Sequence, residues 1–158
     1  DEDTARHKRY SAHQSVSVDS DGVTIDDSLR HTFWFIQISD LHLSVHFGPK
    51  RAPDLEQFCR EYIDIMKPSV VLATGDLTDA RTRDPMGSRV FEEEWLMYWN
   101  ALNKTNVTTK TIWLDIKGNH DNFNVYGWNS PNNFFQKYSI RGPNTTRSYR
   151  YSLRHDTE

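Results

Sequence analysis

Ser69-Val-Val-Leu-Ala-Thr74 runs straight into Gly75-Asp76-Leu77-Thr78-Asp79, and the junction between the two decides how the chain is read. The first six residues are short, uninterrupted and largely apolar or β-branched, which is how a buried strand looks. Gly75 then permits a sharp turn and a close backbone approach, so that Asp76 stands just past the strand's carboxyl end. Two other runs have the same form. Phe33 to Ile38 (FWFIQI) leads into Ser39-Asp40-Leu41-His42, and Thr111 to Ile116 (TIWLDI) leads into Lys117-Gly118-Asn119-His120-Asp121.

Between the runs lie apolar residues at spacings of three and four: Leu55, Phe58, Cys59, Tyr62, Ile63 and Met66, then Phe91, Trp95, Tyr98, Trp99 and Leu102. Such spacing predicts two amphipathic helices, the first starting after Pro53 with Asp54 near its cap and stopping before Pro68, the second starting from Ser88. The order strand-helix-strand-helix-strand is that of an α/β fold with a parallel sheet and crossover helices. In open sheets of that kind, ligand sites gather at the carboxyl ends of the strands. All three polar clusters fall there.

Each cluster carries groups that suit a cation. Asp40 and His42, two apart in an extended segment, point to the same side and can reach one ion while Leu41 turns to the core. Asp76 has two carboxylate oxygens, enough to bridge two ions. Asn119 offers an amide oxygen as a ligand. His120 offers an imidazole that can donate a proton to a leaving group, with Asp121 as the carboxylate that orients it. Asp79 either binds metal or orients its loop. Taken singly, such clusters are more often solvated loops, glycine turns or Asx turns. Their agreement in order, spacing and strand-end position raises the joint signal above any one of them. Mixed imidazole, carboxylate and amide ligation suits Mn, Fe or Zn.

Asp-x-His, Gly-Asp-x-x-Asp and Gly-Asn-His-Asp, in this order, resemble the signature of the calcineurin-like metallophosphoesterases. The stretches Gln37 to Ser44 (QISDLHLS), Val71 to Ala80 (VLATGDLTDA) and Leu114 to Asn124 (LDIKGNHDNFN) look further like the phosphoesterase domain of the membrane-anchored transmembrane protein 62 group. The resemblance covers roughly Phe33 to Leu153. It implies the N-terminal part of a two-sheet sandwich flanked by helices, two divalent ions bridged by Asp76, and hydrolysis of a phosphoester by metal-activated water. The family's further histidines, including a Gly-His-x-His loop, have no counterpart here, and His46 and His155 lack the surrounding pattern. The chain is therefore read as a piece of a longer protein, residues 31–158 being the first portion of the domain and too little of it to turn over substrate alone. The competing expectation is a catalytically inactive phosphoesterase-like ectodomain that binds a partner or a lipid headgroup.

The rest of the sequence bounds these readings. A length of 158 residues suits one domain. Residues 1–30 lack apolar periodicity and are rich in Asp, Ser and His, as in a flexible polar linker. His7, His13 and His31 sit in polar surroundings and read as solvent-exposed. A net charge of −3 with no basic tract argues against nucleic acid as a partner. Lys50, Arg51, Arg81, Arg83 and Arg89 follow two of the polar clusters and read as solvated loop charge or as anchors for an anionic phosphate. Trp128, in a Gly/Asn/Ser loop, is the aromatic residue that could flank substrate. Tyr149, Tyr151 and Leu153 alternate as in a further strand. No apolar run nears the ~18 residues needed to cross a bilayer, so membrane attachment is expected through parts of the protein outside this chain. Three sequons, at Asn103, Asn106 and Asn144, point to a lumenal or extracellular, glycosylated domain. Cys59, on the apolar face of the first helix, reads as a core residue.

Overall fold

The computed structural model describes residues 16–17, 24–25, 33–145 and 148–153. The chain divides into two units, Asp1–Phe33 with Arg154–Glu158, and Trp34–Leu153. In the first, β1 (Val16–Ser17) pairs antiparallel with β2 (Thr24–Ile25). The linker expectation for residues 1–30 otherwise lies outside the described residues, as do His7, His13, His31 and His155.

The second unit is built on three parallel strands in the order β3 (Phe35–Ile38), β4 (Val70–Ala73), β5 (Ile112–Asp115). The α/β class and the expected alternation are both present. Register aligns Ile36 with Val71 and Trp113, and Ile38 with Ala73 and Asp115. Because side chains alternate across a strand, these two rows share one face, and the helices cover it. The opposite face carries Phe35, Gln37, Leu72 and Leu114; with Ile116, Lys117, Trp128 and Tyr149 the last two of these border an open cavity of about 580 Å³. Residues 148–153 run along it without forming the strand their alternation predicted.

The first crossover is one continuous helical stretch made of α1 (Arg51–Gln57), a π turn (Phe58–Tyr62) and α2 (Ile63–Met66). It begins three residues before the expected Asp54. Pro53 fits inside the first turn, where its missing N–H costs nothing. Leu55, Cys59 and Ile63 are buried, while Tyr62 and Met66, expected on the same face, are exposed. The wider π turn explains the difference, because it offsets the drift of an i, i+4 row and keeps 55, 59 and 63 in line. Burial pushes the Cys59 thiol up to about 12, as befits a core residue.

The second crossover is α3 (Glu92–Thr105) followed by α4 (Val107–Lys110). α3 starts four residues later than Ser88, because the backbone is still extended at Phe91 (φ −112°, ψ 132°), after Arg89 N–H has paired with Ala80 O and Val90 N–H with Phe123 O. Three glutamates occupy its first turn, where they oppose the helix dipole. Trp95, Tyr98, Ala101 and Leu102 bury its inner face against Cys59, Val71 and Trp113 in one core, joined by Phe135 and Tyr138 of α5 (Phe135–Tyr138). Full burial of each large apolar side chain contributes about 1.5–3 kcal/mol.

Candidate metal centre

The loops that leave β3 and β4 are laced together by their backbones. Asp40 N–H donates to Gly75 O (3.1 Å), His42 N–H to Asp76 O (2.9 Å), Leu43 N–H to Leu77 O (3.0 Å), and Asp79 N–H back to Leu43 O (2.9 Å). Strand-like pairing thus continues past the ends of β3 and β4. To follow this path Asp40, His42 and Asp76 take left-handed backbone, with φ of 56°, 44° and 50°. The expected extended Asp40-x-His42 segment is therefore corrected, because pairing to the second loop coils it. Non-glycine residues in this region are strained, and such strain collects at functional sites.

Two glycines let the second and third loops touch. Gly75 has φ of +100°, and a Cβ there would lie 2.6 Å from Gly118 N; a Cβ on Gly118 would run into the Asp76 carboxylate. With both absent, Asp76 Oδ1 accepts the His120 N–H (3.0 Å), and the two motifs close on each other. The result is a cluster in which His42, Asp76 and His120 each bring a ligand atom within 4.8 Å of the others. The His42 and His120 rings meet edge to face, 4.5 Å between centroids.

The remaining expected residues stand around that cluster. Asp40 is at its edge, Oδ1 3.6 Å from His42 Nε2 with its side chain two-thirds exposed. A hydrogen bond with Ser39, and then the nearby His42, hold its carboxyl below the usual carboxylate range. Asn119 is exposed and opens the turn His120–Asn122. Asp121 is not where the expectation put it. Its buried carboxylate accepts from Leu77 N–H (3.1 Å), Thr78 N–H (2.9 Å), Thr78 Oγ1 (2.8 Å) and Gly118 N–H (2.9 Å), tying the second loop to the third. Adjacent residues in a helical turn point apart, so Asp121 cannot serve both its own loop and His120. His120 Nδ1 instead lies 2.6 Å from Asp79 O. A carbonyl only accepts, so Nδ1 carries a proton and the ring is held through it.

Asp79, the residue left open between ligand and orienter, is almost fully buried, with Oδ1 3.2 Å from His42 Nδ1. Among the described residues neither His42 Nδ1 nor Asp79 Oδ2 has a hydrogen-bond partner; the close approach to His42 Nδ1 is made by the other oxygen, Oδ1, off hydrogen-bond geometry. Buried polar atoms are nearly always satisfied, and two orphans beside a convergent His/Asp/His set fit a cation whose ligands these groups hold or orient. Imidazole nitrogens with carboxylate oxygens suit Mn, Fe or Zn.

A family model, Calcineurin-like phosphoesterase, matches residues 33–157. The chain belongs to that family. Among its relatives, mouse (Mus musculus) Transmembrane protein 62 is 56% identical over 110 residues, 70% of this chain and 17% of the mouse protein. An Arabidopsis thaliana protein provisionally named a metallophosphoesterase is 39% identical over 133 residues, covering 81% of this chain and 18% of the plant protein. The phosphatase DCR2 of Saccharomyces cerevisiae is 28% identical over 66% of this chain and 18% of its own length. The chain thus spans less than a fifth of the relatives it matches. The resemblance read from the three motifs holds, and calcineurin-like phosphoesterases as a family use divalent metals and hydrolyse phosphoesters.

Two further buried carboxylates hold backbone N–H groups of the surrounding loops, and neither carried a motif. Glu94, on α3 and closed to solvent, accepts Val45 N–H at Oε1 (3.1 Å) and Ala80 N–H at Oε2 (2.9 Å), bracing the first loop against the second. Burial raises its pKa. Asp115, at the end of β5, accepts Ile140 N–H (2.7 Å), Arg141 N–H (2.9 Å) and the Tyr98 hydroxyl (3.1 Å), whose oxygen accepts Trp113 Nε1–H (2.8 Å). Of the basic residues, Arg51 and Arg83 bond His42 O and His46 O, and Arg89 pairs with Asp84. Arg81 lies beside the buried Asp79, Nε 3.7 Å from Oδ1. Trp128 packs against the core with Lys117 Nζ over its ring, on the cavity side. His46 stacks edge to face with Phe47 and Phe91.

Proposed function

We propose that this chain carries the metal-binding loops of a metal-dependent phosphoester hydrolase that uses two divalent ions. The observation that supports this most directly is the convergence of His42, Asp76 and His120 beside the unpartnered His42 Nδ1 and Asp79 Oδ2. In this reading Asp40, His42, Asp76 and Asn119 would hold the ions, and His120, whose ring meets the same cluster, would act beside them. Bound cations supply Lewis acidity to phosphoryl oxygens and make water a nucleophile near neutral pH. The chain's own residues do the positioning. His120, with Nδ1–H given to Asp79 O, has Nε2 free to carry a proton to the departing oxygen. Asp121 and Glu94 hold the loops rather than touch substrate. Arg81 is the cation best placed to meet an anionic phosphate. The protein is read as membrane-anchored, with this domain on the lumenal or extracellular side; the mouse relative's name and the three sequons support that. Among the described residues no helix is long and apolar enough to cross a membrane.

The test is metal content by mass spectrometry together with turnover of chromogenic phosphomonoesters and phosphodiesters by the full-length protein. Asp76→Asn should remove metal and activity while leaving the circular dichroism spectrum unchanged. His120→Asn should keep the metal and lose turnover. Near-normal hydrolysis by folded Asp76→Asn overturns the two-metal reading, and metal binding without any turnover in the native protein assigns the domain to the inactive, binding role instead.

A further inference from the structure

We propose that Asn106, and not Asn103, carries an N-linked glycan; the inference rests on the lumenal reading above. All three sequon asparagines are exposed, so exposure alone does not choose among them. The hydroxyl residue does. Thr105, which completes the Asn103 sequon, is buried, its Oγ1 donating to Ala101 O (2.8 Å) and Leu102 O (3.1 Å). That side chain is committed to the last turn of α3 as soon as the helix docks. Thr108, which completes the Asn106 sequon, is exposed.

The backbone favours the same choice. Asn106 ends α3 with φ of 50° and ψ of 32°, a left-handed position that asparagine tolerates and that turns the chain outward at the α3–α4 corner. Its N–H donates to Asn103 O (3.2 Å), so the two asparagines share one corner and two bulky glycans would crowd each other. The corner precedes β5, whereas the metal loops follow the carboxyl ends of the same parallel strands. A glycan at Asn106 therefore lies at the opposite edge of the sheet from the candidate site and leaves it open.

The step is transfer of an oligosaccharide from a lipid diphosphate-linked donor. The Asn106 amide nitrogen forms a bond to the sugar's anomeric carbon, the carbon–oxygen bond to the diphosphate breaks, the lipid diphosphate leaves, and the amide proton passes to a base. The product keeps one N–H and adds bulk only outside the fold.

The experiment expresses the full-length protein in a eukaryotic secretory host and releases glycans with peptide N-glycosidase in heavy-oxygen water, which marks each formerly glycosylated asparagine as labelled aspartate. Peptide mass spectrometry should place the label at 106 and leave 103 unlabelled, and Asn106→Gln should remove one glycan step on a gel where Asn103→Gln does not. Label at 103, alone or with 106, overturns the assignment. Protease protection in intact microsomes reads the topology separately. A protected domain without glycan at 106 overturns this inference alone, and a domain digested from the cytosolic side overturns the lumenal reading beneath it.

Discussion

Glu94→Gln tests whether a carboxylate outside every motif holds the candidate site in shape. In the native protein each Glu94 oxygen takes one backbone N–H, from Val45 in the first loop and from Ala80 in the second. Glutamine keeps one acceptor and turns an NH₂ towards the other N–H, which then stays buried without a partner. That loss is worth about 1–3 kcal/mol. Removing a carboxylate that burial already disfavours returns part of it. The remainder falls on the two loops that carry Asp40, His42 and Asp76, so it appears mainly as weaker metal binding. With about half of the loss returned, and at 1.4 kcal/mol per tenfold, Mn²⁺ affinity should drop by roughly two- to tenfold. Glu94→Ala strands both N–H groups, opens a cavity and should lower the melting temperature as well, because a loss of about 2–6 kcal/mol is a large part of a domain's stability. Isothermal titration with Mn²⁺, well below the melting point and beside a denaturation curve, separates the two effects. Unchanged Mn²⁺ affinity in folded Glu94→Gln would refute the bracing role.

Gly118→Ala should push the Asp76 carboxylate aside and abolish Mn²⁺ binding in a protein that still folds; retained binding in the titration contradicts the close-packed loops. Tyr98→Phe leaves the buried Trp113 N–H without its acceptor and should cost about 1–3 kcal/mol in urea unfolding, with no change in metal affinity. Asp115 has a carboxyl that burial holds above its ordinary value, so the native state binds its proton more tightly than the unfolded chain does. The stability it contributes is complete below the unfolded pKa of about 4 and is lost as pH rises through the raised value. Asp115→Asn should flatten that decline in urea melts taken from pH 4 upward, and an unchanged slope excludes Asp115 as its source.

The three strands were legible because a buried parallel strand is a short apolar run with a turn after it, and each run here ends in a glycine or a polar cluster. The same logic placed Asp76 and His120 together, since strand-end loops of a parallel sheet share one edge. What escaped the sequence depends on which way a side chain points. Glu92, Glu93 and Glu94 are alike and consecutive in the sequence, and only the docking of α3 shows that the third faces inward between two loops. Asp121 follows His120 in the chain, which suggested a pair; the turn geometry sends its carboxylate to Leu77, Thr78 and Gly118 instead. The left-handed backbone at Asp40 and His42 was equally invisible, because it comes from pairing with Gly75 and Asp76, residues far along the chain.

The strained Asp40, His42 and Asp76 positions also bear on the order of folding. Left-handed backbone is uncommon even for aspartate and histidine, which tolerate it better than most residues, so three such positions together are held only once β3 and β4 have paired across an intervening helix. Long-range parallel pairing is a slow event, governed by loop closure. The ligand geometry is thus among the last features the chain acquires, and a cation that needs it has little hold on earlier intermediates. Its stabilisation is then expected in the rate of unfolding, which it slows, more than in the rate of folding.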